Sequence, residues 1–143
     1  MIMPYINFSG NCEAAFKWYE EIFDGKIMHL VKYGDMPDNP EMPMTREQKD
    51  QVMHAQLMLT ESGGISGADA MWLVEKGSMV NIQAHCSTAA LAERIFAALA
   101  EDGAVLSALI SNPPPDDDGI SGMVKDKFDI TWIISALKDK TVQ

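Results

Sequence analysis

Residues Pro4 to Gly25 read PYINFSGNCEAAFKWYEEIFDG, and the chain uses that order twice. The stretch parses as a strand over Pro4–Phe8, a turn and cap at Ser9-Gly10-Asn11, an amphipathic helix and an Asp24-Gly25 stop. Its apolar helical positions, Ala15, Trp18, Tyr19 and Ile22, are spaced i, i+3, i+4, i+7. Seventy-seven positions on stand Ala92, Ile95, Phe96 and Leu99, with the same spacing and chemistry. The caps Asn11 and Thr88 keep that offset, and each has a side-chain oxygen for the unpaired amides of a first turn. Only the Asp-Gly pair, repeated as Asp102-Gly103, slips by one. An internal duplication follows. Burying four apolar side chains per helix contributes roughly 6–12 kcal/mol as an upper bound. Ordering entropy then removes much of that, so neither half is expected to stand alone.

Between the two copies, Lys26–Tyr33 is rich in β-formers and reads as a strand. Gly34–Pro43 is a loop by its prolines and acids, and Thr45 with Gln48 can box the start of one helical turn. Gln51–Thr60 alternates as a strand, with Val52, His54, Gln56, Met58 and Thr60 on one face and Met53, Ala55, Leu57 and Leu59 on the other. Glu61–Gly67 reads as a Gly/Ser turn and Ala70–Val74 as the next strand. The Gly63–Gly67 run opens no helix, so it lacks the amide-plus-dipole mechanism of a phosphate cradle. In the second copy, Met79–Cys86 and Ala104–Ile110 are strands. Ser111–Gly119 is an exposed loop of consecutive prolines and aspartates, and Gly122–Lys125 with Ile130–Ala136 form a hairpin. The polar tail from Lys138 is expected to fray. The fold class is α+β: two βαβββ modules, residues 1–76 and 77–143, in one domain, making paired half-barrels.

The 143 residues are 47% apolar, enough for a core. Twenty-one acids against eleven bases give a net charge of −10, which repels phosphate backbones and anionic membranes; neither is an expected partner. Eleven methionines suit core filling, an adaptable pocket or a dimer surface. Cys12 and Cys86 form neither a CxxC pair nor a disulfide framework. There is no signal-like N-terminus and no apolar run near the ~20 residues that span a bilayer, so a cytoplasmic location is the expectation.

Several phrases resemble the vicinal oxygen chelate superfamily, which includes glyoxalase I, bleomycin-resistance proteins and extradiol dioxygenases. They are Tyr5–Ala15, Met53-His54-Ala55-Gln56-Leu57, Ile95–Leu99 and Gly122–Trp132. They are most similar to its PhnB-like branch, labelled 3-demethylubiquinone-9 3-methyltransferase-like, and the resemblance spans nearly the whole chain. It implies a homodimer with small-molecule pockets near the interface. Metal-using members place His or Glu at four strand positions, which fall here on Pro4, Gln56, Asn81 and Ile133. Two of these side chains have no lone pair and two offer only a neutral amide oxygen, so no metal and no cofactor are expected. Where branch relatives carry aromatic and Arg residues, this chain has Pro113–Asp118. The sequence also lacks a glycine-rich strand-to-helix turn with a downstream acid, so the methyltransferase label is a family name, not an activity.

His54 shares its predicted face with Gln56, and the resemblance points that face into the cup. Its imidazole is a candidate general base, or a hydrogen-bonded structural histidine. Asn7, Gln56 and Asn81 are candidate ligand contacts, or partners of buried polar groups. Trp132 and Trp72 can stack on a planar ligand or pack in the core, and alternation aims Trp132 away from Ile133. His29 and His85 have no acid or nucleophile at motif spacing and read as surface or packing residues. Cys12 and Cys86 stand near helix starts, where a dipole lowers a thiol pKa, but without a histidine partner. Two functions are expected from these residues. One is metal-independent small-molecule binding in an amide- and Met-lined cup. The alternative is an enzyme, using His54 for acid–base chemistry or acting as a metal-dependent lyase or dioxygenase with atypical ligands.

Overall fold

The computed structural model describes residues 1–139. In the first of two compact units, Met1–Glu75, β1 (Tyr5–Phe8) leads through α1 (Cys12–Phe23) to β2 (Lys26–Lys32). A 3-10 turn and the short α2 (Arg46–Asp50) precede β3 (Val52–Met58) and β4 (Gly64–Asp69). The strands form one sheet in the order β1-β4-β3-β2, with β1 parallel to β4 and the other pairs antiparallel. The second unit, from Lys76, repeats this with β5 (Ile82–Cys86), α3 (Ala89–Ala100), β6 (Ala104–Ser111), β7 (Gly119–Lys125) and β8 (Thr131–Leu137). Its sheet runs β5-β8-β7-β6, again with one parallel pair, β5 with β8. The fold is α+β, built as two βαβββ modules.

Both long helices have twelve residues and start seventy-seven positions apart. On α3 the buried residues are the expected Ala92, Ile95, Phe96 and Leu99. On α1 they are Cys12, Ala15, Phe16, Tyr19 and Ile22, while Trp18 is only half-buried. The buried stripe of α1 is therefore turned towards Phe16, because that ring has a glycine to pack on. A Cβ on Gly67 of β4 would come within 3.0 Å of the Phe16 ring. The second unit uses the same device, Gly122 of β7 lying under the Phe96 ring of α3.

This packing also explains why the Gly63–Gly67 run is not the expected turn. It enters β4, whose glycines let helix and neighbouring strands approach the backbone closely, and Ala70–Val74 is left outside any strand. The caps differ too. Thr88 accepts the Leu91 amide at 3.1 Å, and Thr45 with Gln48 forms the expected reciprocal box on α2. Asn11 makes no side-chain cap. Instead the buried carboxylate of Asp69, at the end of β4, accepts the amides of Gly10 and Cys12, both at 3.0 Å, and of Val52 at 2.8 Å. One side chain thus ties the β1–α1 turn to β3 and β4. Asp24, with φ near 52°, is the left-handed residue that ends α1, whereas α3 ends at the extended Glu101 and the left-handed Asp102, φ near 57°, follows in the turn.

On β3 the alternation breaks once. Val31 pairs with His54 but Lys32 with Val52, so Met53 is an extra residue. Val52, Ala55, Leu57 and Leu59 are buried, and Val52 therefore leaves the face of His54, Gln56 and Met58 to which its spacing assigned it. At the chain's other end, the Lys138 amide donates to the Asp118 carbonyl at 2.8 Å, and the rest of the tail expected to fray, 140–143, lies outside the described residues. Among the described residues no helix is long and apolar enough to cross a membrane.

Candidate functional site

Each sheet has one face closed by its helix and one turned away from it. In the first unit, Phe8 of β1, Ala55 and Leu57 of β3 and Ile65 of β4 are buried on the α1 side. Alternation sends Tyr5, Asn7, His54, Gln56 and Met58 the other way. The bulge at Met28, between Ile27 opposite Leu57 and His29 opposite Gln56, brings His29 onto that same face. The result is a cluster of rings. Tyr5 and His54 stack with centroids 5.6 Å apart and planes 14° apart, and the His29 and His54 centroids are 4.9 Å apart.

The Tyr5 hydroxyl lies 3.2 Å from His54 Nδ1, which ties the imidazole to β1 across the intervening β4 and leaves Nε2 as the ring's other nitrogen. Burial first, and then the neighbouring Cys12, raise the Tyr5 pKa, so the phenol keeps its proton at neutral pH. Tyr5 is nonetheless 51% exposed, so this face is open to a ligand. Beside the rings, the Gln56 amide nitrogen sits 3.9 Å from Met58 Sδ, and the Ser66 hydroxyl, on the same face of β4, is 3.0 Å from Met3 Sδ. The arrangement offers stacking surface, amide donors and acceptors, soft thioethers and one anchored imidazole.

Of the residues singled out in the sequence, His54, Gln56 and Asn7 share this face. Asn81 belongs to the second unit, just ahead of β5, on the side of Gln83 and His85. Trp132 leaves the candidate set. It is 0% exposed, faces α3 with Ile134 and Ala136, and donates its indole N–H to the buried Asp126 carboxylate at 2.8 Å. A ring closed off in this way has no face for a ligand. Tyr5 and His29 were missed, Tyr5 although it alternates with Asn7, and His29 because the Met28 bulge shifts its parity. Trp72 is exposed and lies outside any strand. Neither cysteine is activated. Burial, then the charges of Asp69 and Glu13, push the Cys12 thiol far up, and burial outweighs Arg94 in raising Cys86.

The four positions at which the superfamily holds an ion do not make a donor set here. Gln56 and Ile133 do face away from their helices, but one offers an amide and the other a hydrocarbon. Pro4 contributes only its backbone carbonyl, which already accepts the Ser66 amide at 2.9 Å. Among the described residues no three His, Cys, Asp or Glu side chains come together as a metal set. The residues present do not fit that ion.

The model of the 3-demethylubiquinone-9 3-methyltransferase family matches residues 1–135. Protein YjdN of Escherichia coli K12 is 25% identical over 150 residues, covering 99% of both chains. The crystal structure of protein PA1353 from Pseudomonas aeruginosa is 29% identical and covers 97% of this chain and 98% of its own, with a TM-score of 0.81. A putative 3-demethylubiquinone-9 3-methyltransferase, PhnB protein, from Bacillus cereus is 22% identical over 94% of this chain and 98% of its own. Its TM-score of 0.74 speaks for the fold alone. The same architecture extends to the glyoxalase/bleomycin resistance protein/dioxygenase fold.

Proposed function

The chain belongs to the PhnB-like 3-demethylubiquinone-9 3-methyltransferase family of the vicinal oxygen chelate superfamily, and from that membership we propose that it is a metal-independent small-molecule binding protein. The ligand lies on the open face of the first sheet, its planar part against Tyr5, His54 and His29 and a carbonyl or amide against Asn7 and Gln56. The observation that carries this reading is the exposed ring cluster on a sheet whose opposite face α1 has already sealed. In a packed protein an imidazole held by a phenol at 3.2 Å, beside a Gln56 amide whose nitrogen meets only a weak thioether acceptor, is a surface prepared for hydrogen bonding from outside. The protein acts as a cytoplasmic homodimer. The exposed apolar residues Trp72 and Leu73 of the first unit support a self-association surface, checked by light scattering on the eluting peak.

The test is a melting-shift screen of planar carbonyl and amide compounds on the full chain, repeated on Gln56→Ala and His54→Ala. A ligand at a hundred times its Kd stabilises by about 2.7 kcal/mol, which is easily read as a shift in Tm. The stabilisation should fall at least tenfold in affinity in Gln56→Ala. Ligands that stabilise both variants as well as the parent would place binding elsewhere. Elemental analysis accompanies the screen: one equivalent of Zn, Ni, Mn or Fe, with Tm lowered by chelator, would overturn metal independence.

The Tyr5–His54 hydrogen bond supports a second reading, acid–base catalysis at Nε2. There His54→Ala lowers turnover of the bound compound on the order of 10²–10⁴-fold, whereas a pure binder shows no turnover to lose.

A further inference from the structure

The second sheet has a polar row of its own, independent of the ring cluster. Asn81, Gln83 and His85 alternate with Ile82, Ala84 and Cys86, and only the latter face α3. His85 stands directly opposite Ser135 of β8, and its Nδ1 lies 3.0 Å from the Ser135 hydroxyl oxygen. The Gln83 side-chain nitrogen donates to the same oxygen at 3.4 Å. On the other side of β8, Ser121 of β7 is opposite Ser135 and hydrogen-bonds the Asn112 side chain.

Proton counting defines what this row offers. An amide nitrogen only donates, so Ser135 accepts from Gln83, and its hydroxyl meets His85 Nδ1 as donor or as second acceptor according to the imidazole tautomer. In either tautomer Nε2, the ring nitrogen not bonded to Ser135, remains for an outside partner. The Gln83 amide oxygen remains an acceptor, and both side chains are exposed while Ser135 beneath them is only 8% exposed. The chain of bonds converges on one buried hydroxyl, which holds both outer side chains in place.

The row also holds no carboxylate, lysine or arginine. Its members are Asn, Gln, His and Ser, and Lys125, on the same face of β7, has Asp129 at 3.9 Å. In a protein of net charge −10, the row has no lysine or arginine of its own to offset the long-range repulsion of a phosphate or carboxylate. A hydroxyl group both donates and accepts, which is what alternating donors and acceptors require. Ile133 and Met123, paired across β7 and β8 on the same face, supply apolar surface for carbon–hydrogen edges.

The geometry points to a binding site for a neutral, multiply hydroxylated molecule of the sugar or polyol class, built on Gln83, His85 and Ser135. The experiment is a ¹H–¹⁵N titration of the full chain with glucose and with myo-inositol, against glucose 6-phosphate as the anionic comparison. The expected result is saturable shifts at the amides of Gln83, His85 and Ser135 with one of the neutral probes, and weaker binding of the phosphate. Gln83→Ala and His85→Ala, both at exposed positions, should each weaken the neutral probe at least fivefold while leaving resonances away from β5 unmoved. Absence of shifts at these amides with both neutral probes, unchanged affinity in the two variants, or tighter binding of glucose 6-phosphate would each overturn the assignment.

Discussion

Replacing Asp69 by Asn tests the link that holds the first unit's site in place. The native carboxylate is 1% exposed and accepts three backbone amides, two from the β1–α1 turn and one from Val52, two residues before His54. Asparagine has the same shape but only one accepting oxygen. If that oxygen faces Gly10 and Cys12, the new NH₂ group meets the Val52 N–H, and the reverse orientation abandons the other two. At least one buried amide is left unpaired, costing about 1–3 kcal/mol. The surviving bonds lose their ionic character, and charge-assisted bonds are roughly twice as strong as neutral ones, which removes about another 1–2 kcal/mol. The expected destabilisation is thus about 2–5 kcal/mol, a large part of the ~5–15 kcal/mol that holds a typical domain. Urea unfolding followed by far-ultraviolet circular dichroism measures it. Because Tyr33 donates to the Asp69 backbone carbonyl at 2.8 Å, a bond the substitution keeps, the β4 backbone itself should not move. A loss below about 1 kcal/mol would refute the claim that Asp69, and not Asn11, satisfies this turn.

Three further outcomes follow from the same structure. Trp132→Phe removes the indole N–H that donates to Asp126 Oδ2, and stability should drop by about 2–4 kcal/mol in the same assay; a near-neutral substitution would mean the indole is not anchored. With both thiols pushed up by burial, Cys12 and Cys86 should react with Ellman's reagent at pH 8 only on the unfolding timescale, and rapid labelling of the native protein would contradict that burial. Asp129 is held below the usual carboxylate range by its hydrogen bond to Lys76, so the pair stabilises the fold above the unfolded carboxylate pKa of about 3.9 and the gain is lost as pH falls below it. Both side chains are exposed, so Lys76→Gln should cost no more than about 1 kcal/mol at pH 7 and flatten that acid-side loss; an equal pH dependence in parent and variant would exclude the linkage.

The fold was legible because helices announce themselves by periodicity. Ala92, Ile95, Phe96 and Leu99 recur at helical spacing, and all four are buried. The failures share one physical cause, that closeness between distant segments leaves no local mark. Gly67 looks like a turn residue until Phe16 is set against it, and Asn11 looks like a cap until Asp69, fifty-seven residues beyond Cys12, takes the amides. The face of Gln56 could be read from alternation, but Val52 could not, since the bulge at Met53 depends on how β2 pairs. The ring cluster needed the Met28 bulge and the register of all four strands, and nothing in KIMHLVKY places His29 beside His54.

The bulges have a consequence beyond aiming side chains. β2 and β6 are the outermost strands of their sheets, and each pairing with the strand inside it slips register twice. On β6 both extra residues fall within the outer strand itself, along a segment where Val105, Leu106 and Ile110 are more than half exposed. A straight apolar rim of that length would be a template on which further chains could stack, since its outward amides and carbonyls would present an unbroken ladder. Interrupting the ladder twice shortens every unbroken run along that rim, which works against such stacking.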